Sequence, residues 1–501
     1  MAVRMNRNIK RCEWLLSVIL IGMLALIGCN WIRLNGSTPE PKNENGKLQS
    51  SPWKLHSDVE VKLIVDASLH GQEVEWTILS PGMTFSGEGG PASEKVGLSG
   101  VQLAWLSPQD QQIEVMLAAA SGARFIGLDF DWRRIQPEPG RFVWTEIDRI
   151  VELAKRYNLI LVPMLLYTPR WASSAASTPL DYHLAPPTRF EDYRDFVYAV
   201  VNRYKPYGNA RFTSDGYGIT DWVIWNEPNT HPSGQPPNPG KFWTDSMDEY
   251  IRLLRAGYDG AHSADPGCNV LNGGIADIFW TDDHSDILSA LERFYDPNVD
   301  GNTSDGGRPF FDTLNIHLYQ LNVPDPIWYQ KRLEQIIEIM QRFGDEKKRI
   351  WITETGYGAL SAYYWKENQE GFPLLSESDQ AKSIQMIFST CFAFPQVERV
   401  FWWSLRDYSH EASGNNKAME AHYGLIRADF SPKPAYIAYA QQTGAVNQAL
   451  ISSTIINDLG IAEMTVPASF IDKPGSYVVF ANPAGTDPTI ITIYPVEPEV
   501  K

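Results

Sequence analysis

Apolar strand-like runs alternate with amphipathic helical segments from Gly100 to about Tyr439, and this alternation predicts an α/β protein with the architecture of a (β/α)8 TIM barrel. Eight runs have the length and apolar content of buried strands, and they cover residues 101–105, 125–130, 160–166, 222–225, 270–271, 313–316, 350–353 and 400–403. The amphipathic segments between them include residues 111–120, 144–157, 190–204, 247–261, 328–342 and 379–392. Eight strands over about 340 residues fit one barrel with insertions in its loops.

The first 28 residues have the layout of a signal peptide. Four basic residues precede an apolar run over residues 14–27, which is shorter than the roughly 20 apolar residues that a membrane-spanning helix needs. The run ends in Leu-Ile-Gly-Cys at 26–29, which resembles a bacterial lipobox and implies cleavage before Cys29 and lipid attachment to its thiol. This interpretation predicts an extracytoplasmic protein that is lipid-anchored to the bacterial cell membrane, or secreted. The alternative, an uncleaved signal anchor, also places the folded part outside the cytoplasm.

Four further segments follow the signal peptide. Residues 29–57 are rich in Asn, Gly, Ser, Pro and Lys, which predicts a flexible tether. Residues 58–96 contain alternating apolar runs and are predicted to form an N-terminal β element, and residues 97–445 form the barrel. Residues 446–501 contain three short alternating runs that are typical of a β-sandwich. This last segment is too short for a whole sandwich, so the N-terminal strands are candidates to complete it.

Composition excludes some functions. The formal net charge of -17 argues against binding to nucleic acid or to an anionic membrane surface, because both need clustered Lys and Arg. The 17 Trp and 22 Tyr suit a sugar-binding cleft, although packing in the core is the commoner role for any one of them. Signal-peptide processing and lipidation leave Cys268 and Cys391, which are too distant in sequence for a disulfide framework. With no CxxC motif and no His-rich cluster, the sequence predicts no metal site, and it does not determine the oligomeric state.

Two glutamates follow strand-like runs in the same way. Glu227 comes after the run 222–225 in the motif Asn-Glu-Pro-Asn, where Pro228 keeps it out of the helical region. Glu354 ends the run 350–353 and precedes a glycine turn. By the strand count these are the carboxyl ends of the fourth and seventh strands, where the chemistry of a TIM barrel lies. One such carboxylate alone could be a structural hydrogen-bond acceptor, but two are what glycoside hydrolysis requires.

These motifs resemble those of the retaining glycoside hydrolases of clan A, which carry Asn-Glu-Pro after the fourth barrel strand and Thr-Glu-x-Gly after the seventh. The resemblance covers the whole barrel and is greatest with family 39 and related bacterial exopolysaccharide hydrolases, with family 5 as the near alternative. It implies that Glu354 is the nucleophile and Glu227 the acid/base residue of a double displacement at an O-glycosidic bond. The implied substrate is a polysaccharide or oligosaccharide, and no metal or organic cofactor is implied.

The same resemblance assigns residues to substrate binding. Asn226 matches the amide that hydrogen-bonds the sugar 2-hydroxyl. In Asn-Ile-His-Leu-Tyr at 315–319, Tyr319 matches the tyrosine that contacts the nucleophile, and His317 matches the histidine that lines the subsite of the attacked sugar. Trp403 matches the sugar-stacking tryptophan, whereas Trp402, the alternative, should face the other way by strand alternation.

Loop aromatics are further candidates. Trp171 follows the third strand and Trp243 follows the Asn-Glu-Pro-Asn loop, so both are expected at the barrel face that carries the glutamates. Either could be a stacking surface for sugar, and simple packing is the alternative.

The second strand departs from the family pattern. Relatives usually carry an arginine there that supports the nucleophile, and alignment puts Gly127 at its position. Arg133 or Arg134 could substitute, or Asp129 and Asp131 could reshape the pocket. This departure favours the rival hypothesis of a non-catalytic surface lipoprotein that binds glycans with an inherited barrel. The presence of both glutamates favours the enzyme, because a binding protein has no need of paired carboxylates.

Overall fold

The computed structural model describes residues 17–21, 31–35, 59–64, 67–81, 93–101, 103–178, 181–230, 242–277, 287–296, 308–320, 324–360, 375–408, 419–467, 470, 477–483 and 489–496. The chain divides into two compact units, Gly82–Val446 and a second one made of Met1–Pro81 with Asn447–Lys501. Within the described ranges, no helix combines the length and the apolar character needed to cross a membrane.

The unit formed by both ends of the chain contains two sheets. One has three strands in the order Ser17–Ile21, Val59–Ile64 and Ile461–Val466; the other has five in the order Val446–Ile455, Glu73–Pro81, Tyr477–Pro483, Thr489–Val496 and Trp31–Asn35. Alternate residues of these strands, among them Val61, Trp76 and Met464, are buried in one apolar cluster. The N-terminal strands therefore pair with the C-terminal ones in both sheets, as Val59–Ile64 does with Ile461–Val466.

The larger unit is built on eight parallel strands. They are β1 Val96–Ser99, β2 Phe125–Asp131, β3 Ile160–Leu166, β4 Asp221–Ile224, β5 Asn269–Asn272, β6 Leu314–Leu318, β7 Ile350–Thr355 and β8 Val397–Trp403. A two-residue strand, Ile275–Ala276, continues β5 and pairs with β6. Each strand pairs with the next, a bridge from Leu271 to Thr313 joins β5 to β6, and β8 pairs with β1. The strands form a closed barrel.

A helix follows each strand. The eight are α1 Pro108–Ala120, α2 Thr145–Arg156, α3 Phe190–Tyr204, α4 Met247–Ala264, α5 Ile287–Tyr295, α6 Pro326–Arg342, α7 Glu377–Cys391 and α8 Pro434–Gln442. Three of them begin after serines 107, 246 and 376, whose side-chain oxygens accept a hydrogen bond from the first helical turn. The predicted (β/α)8 fold class, with a β element from the chain termini, is confirmed.

The first strand lies earlier than predicted. The sequence pattern favours residues 101–105, but the structure forms β1 at Val96–Ser99, and Leu103–Trp105 is a 3-10 turn. Gly97 weakens the strand pattern, since glycine is poor in strand interiors. It is nevertheless required, because any side chain at position 97 would overlap the ring of Phe401 on the neighbouring strand β8. Packing between β1 and β8 decides the position of this strand.

Alternate residues of β2 face the barrel interior. Phe125, near the amino end, packs against Trp351 of β7 and Phe401 of β8, and the guanidinium of Arg399 lies over the rings of Phe125 and Trp351. Gly127 comes next and lies against β1. Asp129 follows on the same face, because residues two apart on a strand share a side. This face of β2 therefore carries an aromatic ring at its amino end and a carboxylate towards its carboxyl end.

Candidate active site

The two glutamates predicted from the sequence meet at the carboxyl end of the barrel. Glu227 follows β4, and Glu354 is the fifth residue of β7. Their side chains are only 12% and 10% exposed. One oxygen of each lies within 4.8 Å of the other and of a ring nitrogen of His317. Retaining glycosidases hold their two carboxyl groups about 5–5.5 Å apart, so the spacing is of that kind.

His317 lies between the two carboxylates. Its Nδ1 is 2.8 Å from Glu227 Oε1 and 3.5 Å from Glu354 Oε2, and the side chain is fully buried. The ring reaches this position because residue 274, after β5, is a glycine with φ of +61°. A side chain there would overlap the imidazole. The His317 ring on β6 can therefore occupy this position only because residue 274, after β5, has no side chain.

A chain of hydrogen bonds fixes the proton on His317. The carbonyl of Asn272 accepts from Asn315 Nδ2 at 3.1 Å, which turns Asn315 Oδ1 towards Thr353. Thr353 Oγ1 donates to that oxygen at 2.6 Å, so it must accept from His317 Nε2, 3.0 Å away. His317 therefore carries a proton on Nε2.

The other ring nitrogen of His317 is then an acceptor. Burial lowers the pKa of His317, which favours the neutral ring. In the neutral ring with a proton on Nε2, Nδ1 presents its lone pair to Glu227 Oε1 at 2.8 Å. That hydrogen bond needs a proton from the carboxyl group. The geometry therefore places the proton of the carboxyl pair on Glu227.

Glu354 has the opposite surroundings. Tyr319 donates its hydroxyl hydrogen to Glu354 Oε2 at 2.8 Å, which favours the ionised carboxylate. Burial has the larger effect and raises the pKa of Glu354 to about 7, with Glu227 and Asp129 adding to the rise and His317 and Tyr319 opposing it. Glu354 is thus the ionised partner at neutral to alkaline pH.

The backbone at the end of β4 is held in an unusual conformation. Trp225 and Glu227 both have positive φ, at 73° and 41°, which is rare for residues other than glycine. The amide N–H of Glu227 donates to the carbonyl of Gly273. Asn229 clamps the same loop to the extension of β5, donating to the carbonyl of Ala276 at 2.7 Å and accepting from its N–H. Backbone strain of this kind is typical of functional sites.

Asn226 contributes a buried acceptor. Its side chain is 5% exposed, and its Oδ1 makes no hydrogen bond to any of the residues that the structure describes. A buried amide oxygen without a partner is costly, by about 1–3 kcal/mol. Its place beside Glu227 makes it a group that a bound ligand could satisfy.

Trp403 closes one side of the site. It is half-buried at the carboxyl end of β8, and its ring meets the edges of Tyr319 and Tyr423 at centroid distances of 6.4 and 5.1 Å. Gly100, with φ of +65°, leaves room for the indole ring of Trp403, because any side chain at position 100 would overlap that ring. Since Tyr319 also holds Glu354, the tryptophan is fixed relative to that carboxylate.

Two tryptophans that were candidates for sugar binding have no surface exposed to the pocket. Trp402 is fully buried, and its indole N–H donates to the carbonyl of Tyr423 at 3.1 Å, since strand alternation turns it away from the pocket. Trp243 is also fully buried, packed against Trp225, with its N–H on the carbonyl of Ser246. Trp171 is half-buried and donates to the carbonyl of Gln136, so its role in sugar binding stays a prediction.

The departure at the second strand has a structural outcome. Gly127 lies against Ser99 of β1, and Arg133 is bound to Asp131 through three short contacts, including 2.6 Å from Nη2 to Oδ2. Arg134 pairs with Glu146 at 2.6 Å. In the part described, Glu354 accepts a hydrogen bond from the hydroxyl group of Tyr319 at 2.8 Å. The lipidation residue predicted at Cys29 lies outside the described residues.

The donor set could in principle hold a cation. Glu227, His317 and Glu354 offer two carboxylate oxygens and an imidazole nitrogen to one point. The sequence analysis predicted all three residues for the active site, but it predicted no metal site. Thr353 and Asn315 were not predicted to act on the site. Only the positions of their side chains opposite His317 reveal that they do.

The barrel has the fold of the clan A glycoside hydrolases, and solved structures of that class match it. They include a family 39 glycoside hydrolase from Bacteroides cellulosilyticus WH2, with a TM-score of 0.51 and 17% identity over 77% of this chain and 80% of that one. A monomeric β-xylosidase from Caulobacter crescentus CB15 has a TM-score of 0.52 and 14% identity, over 80% and 75% of the two chains. GH5_18 from Streptomyces cattleya, solved with GlcNAc, has a TM-score of 0.50 and 14% identity, over 70% and 79%.

These identities establish a shared fold and no more. No family model matches the sequence. A comparison with curated proteins also finds no match.

Proposed function

We propose that this chain is a retaining glycoside hydrolase that cleaves β-glycosidic bonds of a polysaccharide or oligosaccharide with Glu227 and Glu354. One observation carries the proposal: two buried carboxyl groups share one histidine at the carboxyl end of the barrel, with the proton on one and a tyrosine donor on the other. Unequal protonation of two neighbouring carboxyl groups is what acid and nucleophile roles need. The β configuration is proposed from the fold, which a β-xylosidase shares.

In the first step, a carboxylate oxygen of Glu354 attacks the anomeric carbon while the bond to the leaving oxygen breaks. The proton of Glu227 passes to that oxygen, so the leaving group departs as a neutral alcohol. Tyr319 keeps Glu354 oriented until the attack, and the free Oδ1 of Asn226 accepts a hydrogen bond from a hydroxyl group of the sugar.

In the second step, Glu227 is ionised and takes a proton from water. The oxygen of that water attacks the anomeric carbon, and the ester bond to Glu354 breaks, which releases the sugar and restores both carboxyl groups. His317 stays neutral throughout, since its Nε2 proton is held by Thr353. Its Nδ1 therefore accepts a hydrogen bond from the O–H group of Glu227 again once that residue is protonated.

The test is covalent capture of the nucleophile. The full chain is incubated with activated 2-deoxy-2-fluoro β-glycosides, and the peptides are analysed by mass spectrometry. A glycosyl adduct on the peptide that contains Glu354 is expected, because only a working nucleophile forms it. Glycan binding without an adduct or sugar release would favour the non-catalytic glycan-binding lipoprotein instead.

We predict that changing Thr353 to Val, which keeps its shape and removes its hydroxyl, lowers kcat/KM at neutral pH by about tenfold or more. The change leaves His317 Nε2–H without its acceptor, at a cost of about 1–3 kcal/mol, so the tautomer with the proton on Nδ1 competes. That tautomer donates to Glu227 and favours its ionised form, which cannot protonate a leaving group. The pH profile of kcat/KM should lose its alkaline side first.

Thr353→Ser is the matched control, because it keeps the hydroxyl and should keep the profile. The thermal midpoints of both variants are compared by calorimetry. A Val variant with a lower rate but an unchanged pH profile would mean that Thr353 acts only by packing.

We also propose that the chain is lipid-anchored outside the cytoplasm through Cys29, as its lipobox-like motif implies. In a bacterial host fed labelled palmitate, the full chain should acquire label and sediment with membranes. Cys29→Ser should abolish the label. Label that persists in the variant would contradict the proposal.

A further inference from the structure

Asp129 is a carboxylate that the two-glutamate mechanism does not use. It lies on the interior face of β2 towards the carboxyl end, and it is the one residue of that strand that is not buried. Burial is the main cause of the raised pKa of Glu354 and of Tyr167, and the negative charge of Asp129 adds to both rises. Glu354 is near the carboxyl end of β7, so both carboxyl groups lie at the same end of the barrel.

The Asp129 carboxylate has no partner in the described part of the chain. No hydrogen bond reaches it, and burial raises its pKa to about 7, with Asp131 adding to the rise. Arg133 acts in the other direction, but its guanidinium is already bound bidentately to Asp131 and stacked over the ring of Tyr167. The side chain is only partly exposed, so a bound ligand that displaces water from it must supply a hydrogen-bond donor in its place.

A second group points to the same ligand. Asn226, the neighbour of Glu227 in the chain, is 95% buried, and its Oδ1 is also without a partner among the described residues. Asp129 and Asn226 thus offer hydrogen-bond acceptors from β2 and from the end of β4. Acceptors without donors suit the hydroxyl groups of a sugar.

We infer that Asp129 determines which sugar is accepted next to the scissile bond: it accepts hydrogen bonds from hydroxyl groups of an uncharged sugar and excludes uronic acids. This inference rests on the proposed function. A sugar carboxylate would be repelled by Asp129 and Glu354. Arg133 cannot offset this repulsion, because its guanidinium already pairs with Asp131. A neutral sugar instead supplies the donors that Asp129 lacks.

The experiment compares Asp129→Asn with wild type on 4-nitrophenyl β-glucoside, galactoside, mannoside and xyloside, and on the glucuronide and galacturonide that match the first two. The variant should lose about 10- to 100-fold in kcat/KM on the best neutral substrate, as expected for a hydrogen bond to a charged group. Its preference for neutral sugar over uronide should fall by a larger factor, because the repulsion is removed as well.

Asp221→Asn is the matched control. It removes a carboxylate from the amino end of β4, at the other end of the barrel, where Asn269 donates to it. Its kcat/KM per folded molecule should stay within about twofold of wild type.

A pH profile separates binding from packing. The groups that act on Asp129 are Asp131, Arg133, Tyr167 and Glu354. Loss of the Asp129 charge removes one cause of the raised pKa of Glu354, so the acid limb of kcat/KM should move to lower pH in the Asn variant. Asp221→Asn should not move it.

Three outcomes would overturn the inference and leave the proposed function standing. Two of them are an active wild type that prefers a uronide and an Asp129→Asn variant with unchanged sugar preference. A stronger loss on a 4-nitrophenyl β-glucosaminide than on the neutral glycosides would also overturn it, because an ammonium group would then be the partner. If wild type neither hydrolyses any glycoside nor forms the adduct on Glu354, the proposed function itself fails.

Discussion

Changing Glu354 to Ala is expected to lower kcat by roughly four or more orders of magnitude on any substrate that the wild type hydrolyses. The reason is that the anomeric carbon loses its attacking atom, and no other described carboxylate in the pocket is held by a tyrosine donor as Glu354 is by Tyr319. Initial rates with an activated aryl glycoside measure the effect. Far-UV circular dichroism should be unchanged, because the residue is at the pocket rather than in the apolar core.

Azide provides the control for this variant. A small anion can enter the space left by the carboxylate and attack the anomeric carbon, so azide should restore rate and give a glycosyl azide of inverted configuration. Glu398→Ala, at an exposed position that accepts from Trp351 at the other end of the barrel, should leave kcat unchanged. Full activity in Glu354→Ala, or no azide product, would contradict the nucleophile role.

The wild-type pH profile gives a second sign of the same role. The nucleophile must be ionised, and burial raises the pKa of Glu354 to about 7. Protonation therefore removes the active form as the pH falls, and kcat/KM should drop tenfold per unit below about pH 7. The sign follows from a raised pKa: the loss begins near neutrality rather than near the ordinary glutamate value.

Sequence alone was sufficient for the barrel and for its two glutamates. The strand-like runs that end in Asn-Glu-Pro-Asn and Thr-Glu-Thr-Gly could be recognised, because consecutive residues are enough to predict a buried strand and the turn after it. The first strand was misplaced for the opposite reason. Only glycine fits at position 97, because a larger residue would overlap the ring of Phe401. Phe401 is 304 residues away, so no local sequence pattern contains that contact.

The site shows the same division. His317 and Tyr319 were predicted from their motif, and the structure brings both to the glutamates. The hydrogen-bond chain through Thr353 and Asn315 was not predicted, since it depends on the amide orientation that Asn272 imposes. For Trp402 and Trp243 the sequence left both sugar binding and core packing open, and the full burial of both side chains favours packing.

Changing Glu227 to Gln should have the second largest effect, and its size should depend on the leaving group. General acid catalysis contributes about 10²- to 10⁴-fold, so hydrolysis of a sugar–sugar bond should fall by that factor. A 2,4-dinitrophenyl glycoside needs no proton on its leaving oxygen, so the first step should stay fast. The glycosyl ester on Glu354 should then accumulate, because the variant cannot take a proton from water in the second step.

Stopped-flow measurement of dinitrophenolate release should therefore show a burst followed by a slow steady state, and added azide should speed the second phase. His317 makes this variant a fair test, since glutamine can place its amide N–H on Nδ1 where the acid proton was, and the pocket keeps its shape. A rate loss that is equal for good and poor leaving groups would mean that Glu227 orients the sugar without transferring a proton. The dependence on leaving group, rather than the loss itself, distinguishes an acid catalyst from a binding residue.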